Sequence, residues 1–134
     1  MAIVHPSAAI VLLTMRDKEM NVEKAKSYML EKSCIESMNK TAKYINSLDF
    51  NDESYAFVLM TIKSVKDEFK DCCELIEKMI KLIKLKPEDC DVTMAATEVY
   101  LEEQGAMLDV IRAGYRFIET CAAIEESKNI KQYN

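Results

Sequence analysis

Two pairs of carboxylates are the residues of this chain whose spacing would best suit catalysis. Glu74 and Glu77 are three positions apart, and Glu88 and Asp91 repeat that spacing further along the chain. Residues three apart lie on the same side of a helix, so each pair can present its two carboxylates together. Carboxylate oxygens are preferred Mg²⁺ ligands, and a bound Mg²⁺ can bridge the phosphates of a substrate. The pattern therefore allows one enzymatic interpretation, a magnesium-dependent hydrolase acting on nucleotides.

The sequence Glu74-Leu-Ile-Glu77 followed by Glu88-Asp-Cys-Asp91 resembles the ExxE…ExxD magnesium-binding pattern of the all-α nucleotide pyrophosphatases of the MazG-like family. The resemblance covers a short part of the chain, and the spacer is shorter than that family shows. It implies that these four carboxylates would hold the cation. The helical pattern, however, turns Glu74 and Glu77 away from the apolar stripe, whereas an active site inside a bundle needs inward-facing carboxylates. We keep this interpretation as the alternative to a binding function.

Histidine and cysteine usage argues against a metal centre and against nucleophilic catalysis. His5 is the only histidine, so neither a Glu-x-x-His di-iron site nor a Ser–His or Cys–His arrangement is expected. The cysteines show no Cys-x-x-Cys spacing of the kind zinc sites use. We expect reduced thiols in a cytoplasmic protein, and no catalytic residue, metal or cofactor. The five cysteines are Cys34, Cys72, Cys73, Cys90 and Cys121.

Composition predicts an all-α fold and limits the partners. Apolar residues make up 49%, and there are only two glycines and two prolines, which favours long helices with short turns. The net charge of −5 disfavours a nucleic-acid partner, because phosphate backbones repel acidic surfaces. The longest apolar run, residues 8–13, is too short to cross a membrane. Lysine- and asparagine-rich, arginine-poor usage suits a viral or bacterial source.

The clearest helical pattern lies at residues 55–83. Its apolar side chains recur at alternating steps of three and four, which predicts one long core helix. Asn51 is the predicted cap at its start, and Pro87 stops it. Charged residues fall on the opposite side of this helix. They are Lys63, Lys70, Glu74, Glu77, Lys81 and Lys84.

The remaining segments predict an up-and-down helical bundle of three long helices plus a short N-terminal helix. The short helix begins near Pro6 and Ser7, a second long helix follows the cap Asn21 and runs to about Leu48, and the last long helix begins at Asp91. Residues 1–126 then form a single helical-bundle domain, and residues 127–134 a polar C-terminal tail.

The last predicted helix carries a second apolar line on its back, at a seven-residue interval, and Gly105 interrupts it. Phe57 and Met60 form another surplus apolar surface. Either the first helix covers one of these surfaces within a monomer, or a surface stays exposed for a partner. We expect the second outcome: a non-enzymatic protein–protein interaction module (adaptor, inhibitor or small chaperone) that forms a homodimer. The expected partner-binding residues are Leu101, Gly105, Leu108, Arg112 and Tyr115.

Overall fold

The computed structural model describes residues 21–133, and every secondary-structure element in that range is helical. The all-α prediction is confirmed. The predicted helix after Pro6 lies outside the described residues. The elements are α1 (Val22–Lys32), α2 (Ile35–Ser47), α3 (Asp52–Leu85), a 3₁₀ turn (Pro87–Asp89) and α4 (Asp91–Tyr133).

Two asparagines start helices as the sequence predicts. The Asn21 side chain accepts a hydrogen bond of 2.8 Å from the Lys24 backbone N–H at the start of α1. Asn51 does the same for the Ser54 N–H at the start of α3, also at 2.8 Å. Each bond satisfies one of the N–H groups that the first turn of a helix leaves unpaired. The predicted bounds of α3 are confirmed.

The prediction of a single long helix after Asn21 is wrong, because the chain forms two helices there, α1 and α2, with a break between them. Ser33 adopts an extended conformation (φ −74°, ψ 160°), and both its N–H and its hydroxyl donate to the Leu30 carbonyl. The next N–H, of Cys34, donates to the Glu103 carboxylate at 3.3 Å. A side chain distant in sequence thus satisfies an N–H at the break, and residue spacing alone does not reveal this.

The last helix is longer than its composition indicated. It continues past Glu126 to Tyr133, through residues that the sequence assigns to a polar C-terminal tail. The described side chains of residues 127–130 are exposed, so this extension is held by its own backbone hydrogen bonds rather than by burial.

The described chain divides into two compact units, and each has its own core. Unit 1 comprises residues 21–35 and Asp71–Gly105, which are α1 with the second half of α3 and the first half of α4. The Cys72 thiol donates to the Tyr100 carbonyl at 3.5 Å inside this unit, and Lys26 pairs with Glu98 at its surface. Its buried apolar residues are Ala25, Met29, Cys72, Ile76, Met79, Cys90, Ala95, Ala96, Val99 and Tyr100.

Unit 2 comprises Glu36–Lys70 and residues 106–133, which are α2 with the first half of α3 and the second half of α4. The Phe50 ring stacks on Phe117 with 4.9 Å between centroids, so Phe50 closes one edge of this core while its other side remains exposed. The buried apolar residues are Met38, Ile45, Val58, Ile62, Val65, Ala106, Met107, Val110, Ile111, Ala113 and Phe117. Within residues 21–133, no helix is long and apolar enough to cross a membrane.

Candidate protein-interaction site

One line of residues on α4 lies at the surface in both units. We call it the outer line and define it as Met94, Leu101, Leu108, Tyr115 and Ala122. In unit 1, Leu101 is 50% exposed and Met94 is similarly open. Gly105 follows Leu101 by one turn and is exposed too. A methyl group at position 105 would meet no described atom within 4 Å. The described packing of unit 1 therefore gives no reason for a glycine at this position.

In unit 2 the same line continues with Leu108, which is half-buried, and Tyr115, which is 41% exposed. Arg112 lies between them, fully on the surface. The Lys66 ammonium of α3 sits 4.8 Å from the centroid of the Tyr115 ring, within the range of a cation–π contact. This contact orients the ring and shows that Lys66 adjoins the outer line.

Lys66 belongs to a stripe of its own on α3. Leu59, Lys63, Lys66 and Lys70 follow one another at steps of four, three and four, so they share one side of the helix. All four are exposed. We call these four residues the lysine stripe. Lys66 contacts the unit 2 part of the outer line, and Lys63 and Lys70 lie one turn from Lys66 on the same side of α3.

The second surplus apolar surface, around Phe57 and Met60, is also on the surface of unit 2. Met60 is 74% exposed, and Phe57 and Tyr44 of α2 are both exposed. The Tyr44 and Phe57 rings meet edge to face, with 5.5 Å between centroids. Phe57 is thus half covered by α2, whereas Met60 is left open by the described residues.

A cleft of about 340 Å³ opens in unit 2, where the start of α3 faces the later turns of α4. Its lining mixes rings and aliphatic groups with two carboxylates and one ammonium group. The Cys121 thiol lies there, and partial desolvation raises its pKa. The lining residues are Phe50, Asn51, Asp52, Tyr55, Ile118, Cys121, Ala122, Ile124, Glu125 and Lys128.

Three of the cysteines lie near one another in unit 1. Burial raises the pKa of the Cys72 thiol to about 12, and the charges of Glu103, Cys73 and Cys34 add to the effect. Cys73 accepts a hydrogen bond of 3.1 Å from the Gln104 amide. None of the five cysteines, all of which lie within residues 21–133, forms a disulfide. A thiol with so high a pKa is a poor nucleophile near neutral pH, so Cys72 is a core residue rather than a reactive one.

The carboxylates of the MazG-like pattern all lie at the surface of unit 1. Glu74 and Glu77 are exposed on α3, Glu88 is exposed in the 3₁₀ turn, and Asp91 is exposed at the first position of α4. Among the described side chains, no three Asp, Glu, Cys or His residues are placed to hold a metal ion. The structure does not bring these four carboxylates together.

Residue spacing missed two features of the molecule. Residue spacing does not single out Glu103, which is only 5% exposed and accepts a hydrogen bond from the Cys34 N–H at the break between α1 and α2. The sequence interpretation places Lys63 and Lys70 on the charged side of α3 and does not single out Lys66, although the steps between these three lysines put them on the same side of the helix. Only the contact of Lys66 with Tyr115 shows which surface they adjoin.

Comparison of this chain with protein-family models, with curated proteins and with solved structures finds no match.

Proposed function

We propose that this chain is a non-enzymatic protein–protein interaction module, an adaptor, inhibitor or small chaperone, that acts through the outer face of α4. The residues are Leu101, Gly105, Leu108, Arg112 and Tyr115. The observation that carries the proposal is the pairing of a half-exposed Leu101 with a glycine whose side-chain position is open.

A glycine in a helix interior lowers helix stability by about 0.5–1 kcal/mol relative to alanine. Nothing in residues 21–133 occupies the space at Gly105, so packing inside unit 1 does not offset this cost. A second helix approaching there would offset it, because a glycine lets two backbones come close. Leu101 and Met94 would supply the buried apolar area of such a contact.

The simplest second helix is α4 of another copy, so we propose a homodimer with its seam at Leu101 and Gly105. The fold of each copy is proposed as an up-and-down bundle, since only residues 48–51 separate α2 from α3 and residues 86–90 separate α3 from α4. Such short connections favour antiparallel neighbours. We further propose that the protein acts in the cytoplasm, in a viral or bacterial system, and that its partners are neither nucleic acids nor membranes.

Replacement of Leu101 by Glu tests this proposal. The wild-type chain should show a mass near twice 15.4 kDa by light scattering at high concentration, and Leu101→Glu should show a monomer, because a charge in the seam would be desolvated. Leu85→Glu is the control, since Leu85 is 77% exposed at the end of α3. It should leave the mass unchanged. A wild type that is monomeric at every concentration contradicts the homodimer.

A further inference from the structure

The unit 2 part of the outer line and the lysine stripe adjoin each other where Lys66 contacts Tyr115, and we call the surface between them the unit 2 groove. Its floor is defined as the apolar residues of the two stripes, which are Leu59 of α3 with Leu108 and Tyr115 of α4. The Lys66 contact with the Tyr115 ring joins the two helices' stripes into one surface. Tyr115 is suited to the centre of such a surface, because tyrosine is enriched among residues that dominate binding energy.

The α3 rim of this groove is positively charged. Lys63, Lys66 and Lys70 edge it on α3, and Arg112 edges it on α4; all four are exposed. The ion pairs formed among described residues are Lys26–Glu98 and Lys40–Glu36, so none of the rim cations is neutralised in that way. Asp67 lies between Lys63 and Lys70 on the outer flank of α3, Asp109 lies three residues before Arg112, and Glu119 lies one helical turn after Tyr115. The α3 side of the groove therefore carries three lysines, whereas its α4 side carries both Arg112 and Glu119, in a chain whose net charge is −5.

This charge pattern distinguishes between the candidate occupants. A two-fold contact of the groove with its own copy would set the same cations against each other, which is unfavourable. The first twenty residues include the apolar run 8–13, but their charged side chains, Arg16, Asp17, Lys18 and Glu19, cancel one another. An amphipathic helix with acidic residues beside its apolar face complements both the floor and the lysine rim on α3.

We infer that the unit 2 groove binds an acidic amphipathic helix of another protein. This inference rests on the proposed function and adds the chemistry of the partner. It assigns separate roles to the two parts of the outer line: Leu101 and Gly105 in unit 1 form the seam between copies, and Leu108, Arg112 and Tyr115 in unit 2 take the foreign helix.

The test uses the full chain and two fluorescein-labelled synthetic peptides. Both peptides carry leucines at helical spacing on one face; one has glutamate on the two flanks and the other has glutamine at the same positions. Fluorescence anisotropy should show that the glutamate peptide binds at least about tenfold more tightly, and that added salt weakens this binding. In the chain, the double variant Lys63→Glu with Lys66→Glu should weaken binding of the glutamate peptide by about tenfold or more.

The matched control is the double variant Lys40→Glu with Lys43→Glu, which makes the same change of charge on exposed residues of α2. It should change binding by less than about twofold, with unchanged circular dichroism in all variants. Equal binding of the two peptides, equal effects of the two double variants, or no binding of either peptide would overturn the inference. If the glutamate peptide bound only to a Leu12→Asp variant of the chain, residues of the chain itself would be the occupant of the groove. Self-association lost in the Lys63–Lys66 variant would identify a second copy. Either result would also overturn the inference that a helix of another protein binds there. The light-scattering mass of the Leu101→Glu variant tests the homodimer independently.

Discussion

At the scale of single residues, the Cys72 thiol shows how burial converts a reactive group into a structural one. Its side chain is 2% exposed and donates to the Tyr100 carbonyl across the core of unit 1. Releasing its proton would create a charge where little water can solvate it, next to the Glu103 carboxylate. Both effects raise the pKa of the Cys72 thiol from 9.0 to about 12. Because of this pKa shift, the free energy of unfolding should vary with pH in the alkaline range.

The sign of that dependence follows from the proton balance. Below pH 9 the thiol is protonated in both folded and unfolded chains, so it gives no pH dependence. Between pH 9 and pH 12 only the unfolded chain releases the proton, so the free energy of unfolding falls as pH rises. At about pH 10.5 the expected loss is about 2 kcal/mol, at 1.36 kcal/mol per pH unit.

Urea denaturation of wild type and Cys72→Ala at pH 8 and at about pH 10.5 measures this contribution. The stability difference between the two chains should shrink by about 2 kcal/mol at the higher pH. All other titrating groups are common to both chains and cancel in the comparison. An identical pH dependence in the two chains would show that the Cys72 thiol titrates normally.

At the scale of elements, the break between α1 and α2 depends on a partner distant in the chain. Ser33 ends α1 by bonding back to Leu30, and the Cys34 N–H reaches the buried carboxylate of Glu103. Burying a carboxylate is costly unless it accepts hydrogen bonds, so its placement beside the break stabilises both groups. The second predicted helix is interrupted where α4 supplies this acceptor.

Glu103→Ala should therefore reduce the free energy of unfolding by about 2 kcal/mol, because it leaves the Cys34 N–H without its acceptor and opens a cavity in unit 1. Glu102→Ala is the matched control: Glu102 is the exposed neighbour, and its loss should change stability by less than about 0.5 kcal/mol. Urea denaturation of both variants measures the difference. If the two changes cost the same, the Glu103 contact does not hold the break.

At the scale of the whole molecule, the two glycines of α4 differ in what surrounds them. A methyl group at Gly114 would lie 2.5 Å and 2.7 Å from atoms of the Ile62 side chain, inside the core of unit 2. Gly114 is thus needed where α3 and α4 approach closely. Gly105 has no such neighbour among the described residues, and the proposed second copy is what would require it.

The two alanine variants should therefore behave in opposite ways. Gly105→Ala should stabilise the dilute monomer by about 0.5–1 kcal/mol and shift the dimer equilibrium toward monomer. Gly114→Ala should lower stability by about 1 kcal/mol net, since overpacking costs about 1–3 kcal/mol against the gain in helix propensity. Urea denaturation at low concentration and light scattering at high concentration provide the two measurements. A Gly105→Ala chain with the wild-type dimer equilibrium would remove this glycine from the seam.

The elements with strong local signals were predictable from the sequence. Apolar residues at steps of three and four predict α3, and six members of that stripe are buried at 7% exposure or less. Asn51 and Pro87 mark the ends of α3 through chemistry that acts within one helical turn. The candidate face of α4 was also predictable as a line of residues, because a seven-residue interval places Leu101, Leu108 and Tyr115 on one side of any α-helix. That this face binds a partner stays a prediction. The six buried members are Val58, Ile62, Val65, Cys72, Ile76 and Met79.

Helix periodicity by itself determined the all-α class, the bounds of α3 and the residues that share each helix face, because hydrogen bonds and side-chain spacing within a helix are local. The tertiary structure alone decided that Glu103 is buried beside the break at Ser33, that Gly114 meets Ile62, and that Lys66 lies over Tyr115. Each of these contacts joins residues far apart in the chain. Which helix faces meet depends on the packing of all the side chains at once, and no single segment carries that information.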